Sequence, residues 1–326
     1  MARGKKFANL MLFALVSGLA PAMSEAQALY PTKPVKIVVG FPAGSSADLT
    51  ARILAKKLGE NLGQPFIVEN RPGAGSSIAT EFVVRAPGDG YTLLMGTVAN
   101  TINATLAKSL SFNFSQDLAP IAPVGTVPNI LVVHASLGVT TVKDLIALAK
   151  SRPGQILYGS SGNGTSPHLS GELFNSMAGV KLVHVPYKGS SQAVTDLLAG
   201  RVQVMFSPAS TVLPHIQAGT LKALASTGVR RAGVAPDIPT ISESGLSGFD
   251  TAVWFGLLAP SGTARDIISR LAAAVGQALG SADVKAQLLA QGIDPLGGGP
   301  EEFARYIREE TEKWARVIQV SGAKID

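Results

Sequence analysis

The sequence has no cysteine among its 326 residues. Disulfide bonds, thiolate metal sites and cysteine nucleophiles are therefore excluded, and packing alone has to hold the fold. Charged residues are scarce as well, at 15% of the chain. The formal net charge is +6, and the basic residues are scattered along the chain. This pattern argues against a nucleic-acid partner, and it fits either an anionic small ligand or a surface tuned only for solubility.

Long apolar runs are absent after residue 28, since no later segment has eighteen apolar residues without a charge, a Gly or a Pro. We therefore expect no membrane insertion of the mature chain. Before that point, basic residues precede an apolar stretch over residues 10–20, and small residues follow it. This layout predicts a secretory signal peptide over residues 1–28, cleaved after Ala28, with Ala26 as the alternative. An exported chain without disulfides favours a periplasmic location.

Motifs for catalysis, metal binding and nucleotide binding are also missing. No His lies in an H-E-x-x-H pattern, and no P-loop occurs. The run that begins at Gly73 fails the G-x-G-x-x-G pattern because Ile78 stands at the third Gly position. A hydrolase elbow centred on Ser161 fails because Asn163 stands where Gly is needed. We therefore predict no catalytic residues, no metal and no cofactor, and we interpret His184 as a packed histidine of an apolar strand.

Short β-branched runs alternate with helical patterns, which predicts an α/β fold with parallel strands joined by helices. One series covers residues 35–97, a strand over 129–136 and a helix over 142–150 follow, and a second series runs from 156 to 227. A strand over 252–260 precedes a helical tail, which has too little strand to be a domain of its own. The pattern predicts two lobes, with crossings near 127–130 and 251–255, and a tail that packs back on one of the sheets.

The loop "FPAGSSADL" ends the first strand and starts a helix. Ser45 and Asp48 fit a capping box, whereas the free N–H groups of the helix start also suit an anion at the strand end. From this stretch alone, a cap and a ligand contact both remain open. The loop "SSGNGTSPHL" is built in the same way, because Ser166 followed by Pro167 marks a helix start.

A series of collinear motifs covers essentially the whole mature chain. They are "YPTKPVKIVVGFPAG", Asp48 with Ala51 and Arg52, "VENRPGAGS", "PGDGYTLLMG", "SSGNGTSPHL", "HVPYKG" and "WFGLLAP". In these motifs the chain resembles the Bug (TctC-like) family, the periplasmic substrate-binding receptors of tripartite tricarboxylate transporters. The resemblance rests on the order of all seven motifs and not on any single one.

The resemblance implies a type II-like periplasmic binding protein, a Venus flytrap of two α/β lobes that closes on a small carboxylate. Lobe 1 would comprise residues 29–128 and 254–326, and lobe 2 residues 129–253. In the family, backbone N–H groups, hydroxyls and water hold the carboxylate. Carried onto matching positions, the expected ligand-binding residues are Phe41, Pro42, Gly44, Ser45, Ser46, Ala47, Asp48, Ser76, Thr97, Asn100, Ser161, Asn163, Gly164, Thr165, Ser166, Tyr187, Lys188 and Ser207.

The chain departs from the family pattern at two places. Ser45 and Ser46 stand where a Gly pair is common, and Ser207 stands where an Asp is common. The loss of that Asp removes a partner for an amine, so we hypothesise a ligand with one or two carboxylates, such as a di- or tricarboxylate or an aromatic acid, and no amino group.

The expected partner beside that ligand is the membrane permease of a tripartite tricarboxylate transporter, and we expect a monomer. The alternatives are a periplasmic sensing subunit that presents its ligand to a signalling protein and, less favoured, an enzyme that acts on a small acid.

Overall fold

The computed structural model describes residues 1–2, 30–107 and 110–323. The predicted signal peptide, including both cleavage positions, therefore lies outside the described residues except for its first two. Pro31–Asp326 form one compact unit. The fold below is that of this unit.

Strands recur along the chain where β-branched runs occur. In the described residues they form one mixed sheet, with the order β2-β1-β3-β9-β4-β7-β5-β6 and with β8 and β10 also paired to β4. The strands are β1 (Val35–Val39), β2 (Phe66–Asn70), β3 (Thr92–Thr97), β4 (Leu118–Val133), β5 (Leu157–Ser160), β6 (Val183–Pro186), β7 (Val204–Pro208), β8 (Lys222–Ser226), β9 (Ala252–Pro260) and β10 (Asp294–Pro295).

The long strand β4 belongs to two parts of this sheet. Up to Pro128 it pairs with β9, and from Asn129 onward it pairs with β7 on one side and β8 on the other. The change of partner falls inside the predicted crossing at 127–130. We call β2, β1, β3 and β9 with the first part of β4 the first half-sheet. The second part of β4 with β7, β5, β6 and β8 is the second half-sheet.

The strands pair in parallel at both ends of the sheet and antiparallel at its centre. β1 runs parallel to β2 and β3, and β5 runs parallel to β6 and β7, as predicted. The pairs β3 with β9, β4 with β9 and β4 with β7 are antiparallel, so the expectation of a parallel sheet throughout is wrong at the centre. The α/β fold class is confirmed.

Helices follow most of the strands, as the apolar periodicity predicts, and α3 is a helix that was not predicted although Val98, Ile102 and Leu106 recur at helical spacing. The helices are α1 (Ser46–Leu62), α2 (Ser77–Val84), α3 (Val98–Leu106), α4 (Val142–Ser151), α5 (Ser166–Ala178), α6 (Ser190–Leu198), α7 (Ala209–Gln217), α8 (Arg265–Gly280), α9 (Ala282–Ala290) and α10 (Pro300–Ser321).

The helical tail completes the core. α8 and α9 pack against α1, whereas α10 contacts α3 beside the first half-sheet and α5 beside the second. Trp254 is fully buried and meets the ring of Phe303 edge to face, with centroids 5.6 Å apart. The tail therefore packs on both parts of the sheet and not on one alone, because α10 is long enough to reach both.

Candidate functional site

A pocket lies where five helices begin. Helices α1, α3, α5, α6 and α7 start at the carboxyl ends of β1, β3, β5, β6 and β7. The first residues of α1, α3, α5 and α6 contribute to the pocket wall, as does Pro208, which immediately precedes α7. It holds about 390 Å³ outside protein atoms, including the part that opens to solvent. We call it the inner pocket. Its lining residues are Phe41, Ser45, Ser46, Ala47, Thr97, Val98, Ala99, Ser161, Thr165, Ser166, Pro167, Ser190, Pro208, Val253 and Phe255.

The electrostatics of the inner pocket come from the backbone. None of the described residues that line it is charged. The first N–H groups of each helix have no acceptor within the helix, and the helix dipole gives that end a partial positive charge. Five helix starts around one pocket therefore favour an anion, and they offer it hydrogen-bond donors without a Lys or Arg.

Hydroxyl groups add further donors and link the walls of the pocket. The Ser161 and Ser190 hydroxyls share a hydrogen bond of 2.7 Å. The Ser46 hydroxyl bonds to that of Ser210, and this contact joins α1 beside the first half-sheet to α7 beside the second. A hydroxyl can donate or accept, so these groups can turn toward a bound acid. Phe255 on β9 supplies an apolar surface.

The first pocket loop, residues 41–45, is held by a buried carboxylate. Asp48 is only 2% exposed, and its Oδ2 accepts a 2.9 Å hydrogen bond from the Gly44 N–H. Asn70 donates to Asp48 Oδ1 at 2.9 Å, and it also donates to a carbonyl of the loop at 3.0 Å. Burial by itself raises the pKa of Asp48, but the bonds from Arg52, Gly44 and Asn70 outweigh it and hold the pKa below its usual 3.8.

The second pocket loop, residues 161–165, is held by uncharged groups. The Gly162 N–H donates to the Ser160 hydroxyl at 3.0 Å, and the Thr165 hydroxyl donates to the Gly162 carbonyl at 2.7 Å. The Gly164 N–H donates to His168 Nδ1 at 3.3 Å. All of these bonds join uncharged groups when His168 is neutral, the state in which its Nδ1 can accept the Gly164 N–H.

Two stacked histidines lie behind the second pocket loop. The ring centroids of His168 and His184 lie 4.2 Å apart. The ring of Tyr158 also stacks on His184, with centroids 4.9 Å apart. The Nε2 atom of His184 lies 2.6 Å from the Ser160 hydroxyl. Burial lowers the pKa of His168 to about 4, and burial together with the neighbouring His168 lowers that of His184 to about 3. Both rings are neutral at pH 7.

The inner pocket brings together eight of the residues predicted from the sequence. These are Phe41, Ser45, Ser46, Ala47, Thr97, Ser161, Thr165 and Ser166. Four more line an adjacent cleft and stand apart from the helix starts: Pro42, Asn163, Tyr187 and Lys188. Phe41 and Ser161 line both the inner pocket and this cleft.

The other six predicted residues line neither space: Gly44, Asp48, Ser76, Asn100, Gly164 and Ser207. Asn100 accepts from the Thr97 N–H at 2.8 Å and thereby caps α3. The hydroxyls of Ser76 and Ser207 are buried and lack a hydrogen-bond partner among the described residues. Gly44, Asp48 and Gly164 belong to the pocket loops and to their supports, as described above. A direct ligand contact for these six stays a prediction.

Seven lining residues are not predicted from the sequence: Val98, Ala99, Pro167, Ser190, Pro208, Val253 and Phe255. A signal existed for Ser190, because Gly189 and two serines after a strand are typical of a helix start. Phe255 lies in the "WFGLLAP" motif, but neither it nor Val253 was expected at the site, since both reach the pocket through the antiparallel pairing of β9.

Two further searches concern metals and membranes. Across residues 1–2, 30–107 and 110–323, no three His, Cys, Asp or Glu side chains gather where they could hold a metal ion. In the same residues, no helix has the length and apolar character that a membrane span requires.

Comparison with known proteins gives a family match. The model of the tripartite tricarboxylate transporter family receptor matches residues 50–323. Protein BugT of Bordetella pertussis is 37% identical over 316 residues, which is 96% of each chain.

Solved structures agree with this match. The structure of Rhodopseudomonas palustris Rpa4515 with adipate superposes with a TM-score of 0.88 at 37% identity, covering 91% of this chain and all of the other. MatC from the same species, with bound malate, gives 0.84 at 30% identity and covers 89% of this chain and 100% of its own. Both proteins match the compact unit over nearly its full length.

Proposed function

The chain belongs to the tripartite tricarboxylate transporter receptor family, and from that premise we propose that it captures a small carboxylate in the periplasm and delivers it to the membrane permease of such a transporter. The protein acts as a binding receptor and not as an enzyme. The ligand carries one or two carboxylates and no amino group, because an acidic partner for an amine is missing from the pocket wall among the described residues.

One observation carries this proposal: five helix starts converge on a pocket whose described lining residues carry no charge. A carboxylate there receives hydrogen bonds from backbone N–H groups and hydroxyls. Two relatives of the same fold support the choice of ligand class, since one was solved with adipate and another with malate.

The division into lobes is part of the proposal. Lobe 1 comprises residues 29–128 and 254–326, and lobe 2 comprises residues 129–253. It is supported by the change of partner along β4 at Pro128. The two pocket loops come from different lobes, so a ligand that bonds to both favours the closed arrangement. Small-angle scattering with and without ligand tests this, and an unchanged radius of gyration on saturation would contradict closure.

Binding is tested by isothermal titration with dicarboxylates, aromatic acids and amino acids. We expect a dicarboxylate or an aromatic acid to bind, and at a hundredfold excess over its Kd to stabilise the fold by about 2.7 kcal/mol. Tight binding of glutamate or aspartate alone would overturn the ligand class. Mass spectrometry of acids that co-purify with the native protein identifies the ligand directly.

A pair of matched variants ties binding to the inner pocket. Ala99 is buried at the start of α3 and lines the pocket, so Ala99→Leu fills space that the ligand needs. Ala147 is exposed on α4, so Ala147→Leu adds the same atoms away from the site. We expect the first variant to lose binding and the second to keep it. Equal affinity in both would place the ligand elsewhere.

A further inference from the structure

A buried network of polar groups joins the two predicted crossings of the sheet. Asn129 is fully buried where β4 changes partners, and Thr251 is fully buried immediately before β9. Thr227, the residue after β8, lies between them. Its hydroxyl accepts the Asn129 N–H at 3.1 Å and donates to the Thr251 carbonyl, and its own N–H donates to the Asn129 carbonyl at 2.9 Å. The backbone of Asn129 is therefore held from two sides.

The side chain of Asn129 connects this network to the inner pocket. Its Nδ2 donates to the Ser166 hydroxyl at 3.1 Å and lies 3.5 Å from the hydroxyl of Ser170. Ser170 in turn shares a 2.7 Å hydrogen bond with the Thr251 hydroxyl. Ser166 is the first residue of α5 and lines the inner pocket, whereas Asn129 lines neither that pocket nor the adjacent cleft. Asn129 can therefore act on a ligand only through Ser166.

The direction of the bond between Asn129 and Ser166 determines what the serine can do. The amide nitrogen of Asn can only donate, so the Ser166 oxygen accepts and its proton is left for another acceptor. Among residues 30–107 and 110–323, no acceptor lies in bonding geometry to that proton. The Ser166 hydroxyl therefore offers a donor to an acid in the inner pocket.

The other end of the Asn129 amide shows that this arrangement is costly. Its Oδ1 is buried and has no hydrogen-bond partner in the described part of the chain. An unpaired buried carbonyl destabilises a fold, whereas an apolar side chain of the same shape would avoid that cost. An amide that is kept in spite of this cost favours a role for its donor end beyond stability.

We propose that Asn129 is a positioning residue for ligand capture, because its amide holds the Ser166 hydroxyl with its proton available to the acid group in the inner pocket. This inference rests on the proposed function and adds the residue that sets the direction of one donor. A hydroxyl fixed as a donor favours an ionised carboxylate, whose oxygens only accept, over a carboxamide, whose nitrogen only donates.

The test is isothermal titration with dicarboxylates of four to eight carbon atoms and with aromatic acids. The best-bound acid is then compared with the same molecule in which each carboxylate is a primary amide. Asn129→Leu keeps the branched shape and removes the donor. We expect it to weaken the acid about tenfold and the amide no more than about twofold, because hydrogen bonds to charged groups are the stronger ones. A general distortion of the pocket would weaken both alike.

A double-mutant cycle shows whether Asn129 acts through Ser166. Ser166→Ala should weaken the acid about tenfold, and adding Asn129→Leu should cause little further loss. Thr251→Val is the matched control, since it removes a buried hydroxyl of the same network that does not contact Ser166. Its affinity should stay within about twofold of the unchanged protein. Urea unfolding checks the fold of each variant, and Asn129→Ala removes the same donor if Asn129→Leu does not fold.

The outcomes separate this inference from the proposed function. If the acid binds the Asn129 variants as tightly as the unchanged protein, or if the two single losses multiply to about a hundredfold, the positioning role is overturned while carboxylate capture stands. An equal loss in Thr251→Val would also overturn it, because any break in the network would then suffice. If no dicarboxylate and no aromatic acid binds the unchanged protein, the proposed function fails and this inference fails with it.

Discussion

The two pocket loops are alike in position and differ in how they are held. Each ends a parallel strand and begins a helix that lines the inner pocket. The first pocket loop is tied to Asp48, an ionised carboxylate that Arg52 and Asn70 also bond. The second is tied to Ser160 and to His168, which must stay neutral to accept the Gly164 N–H. The first pocket loop therefore needs Asp48 to stay ionised, and the second needs His168 to stay neutral.

This difference means that acid affects the two loops at different pH values. The folded pKa values of His168 and His184, about 4 and about 3, lie below the usual 6.5. At pH values between the folded pKa and 6.5, each histidine is protonated in the unfolded chain but neutral in the folded one. The free energy of unfolding therefore falls as the pH drops below about 6.5. Asp48 has a lowered pKa, so its contribution persists down to 3.8 and is lost only below it.

The largest expected effect is therefore the loss of stability on mild acidification. Between pH 7 and pH 4.5 we expect a decrease of about 5 kcal/mol from the histidine pair. Urea unfolding across this range measures it. Hydrogen exchange at pH 5 should show residues 160–168 losing protection before residues 41–52. In His168→Asn, which keeps an acceptor but cannot titrate, the decrease should be smaller, and an unchanged pH curve would count against the histidine pair.

The next largest effect is expected from Asp48→Ala. The substitution removes the acceptor of Gly44 and Asn70, so buried donors lose their partner and the cost is about 2–3 kcal/mol, with loss of ligand binding. Asp144 provides a matched control, since it also accepts backbone N–H groups at the start of a helix but is exposed and does not line the pocket. Asp144→Ala should cost less stability and leave the affinity unchanged. Equal affinity losses would refute a specific role for Asp48.

A smaller effect is expected at Gly164, on the second pocket loop. Its φ of 71° is left-handed, and a Cβ there would lie 2.2 Å from Oδ1 of Asn103, whose amide donates to the Gly75 carbonyl at 2.9 Å. Gly179 has a φ of 61° with nothing within 4 Å of an added Cβ. Both alanine variants should lose about 1 kcal/mol through backbone strain.

The contact with Asn103 distinguishes the two alanine variants. Because Asn103 has to move only in Gly164→Ala, that variant alone should also lose affinity, about tenfold, by titration. If Gly179→Ala weakens the ligand as much, the contact with Asn103 plays no part in binding.

Periodicity and cap signals predicted most helices and most strands, but not the first part of β4. Pro120, Pro123 and Pro128 lie in that segment, and proline is normally excluded from a central strand. The strand forms nevertheless, because its register shifts between Pro120 and Ala122 and again between Pro123 and Gly125. A bulge depends on the partner strand, which no local pattern reveals.

The candidate site was predictable to a similar degree. Ser45 and Ser166 carry helix-start signals, so the sequence indicates where backbone N–H groups become free. By contrast, α3 contains Val, Asn and Thr, which have low helix propensity, and its packing decides its structure. The bond from Gly164 to His168 was not foreseen either, because it depends on how the loop folds back over α5. His184 is a packed histidine, as interpreted, but its contact with Ser160 was not anticipated.

The position of β9 in the sheet sets the order in which the chain can assemble. Leu94 on β3 pairs with Leu258 on β9, so the first half-sheet lacks its central partner until the last quarter of the chain is present. A nascent chain that ends before residue 252 leaves β3 with an open edge and β4 unpaired over its first part. Such long-range pairing delays the folding transition. Under the periplasmic location proposed above, this delay gives the chain time to cross the membrane before it folds.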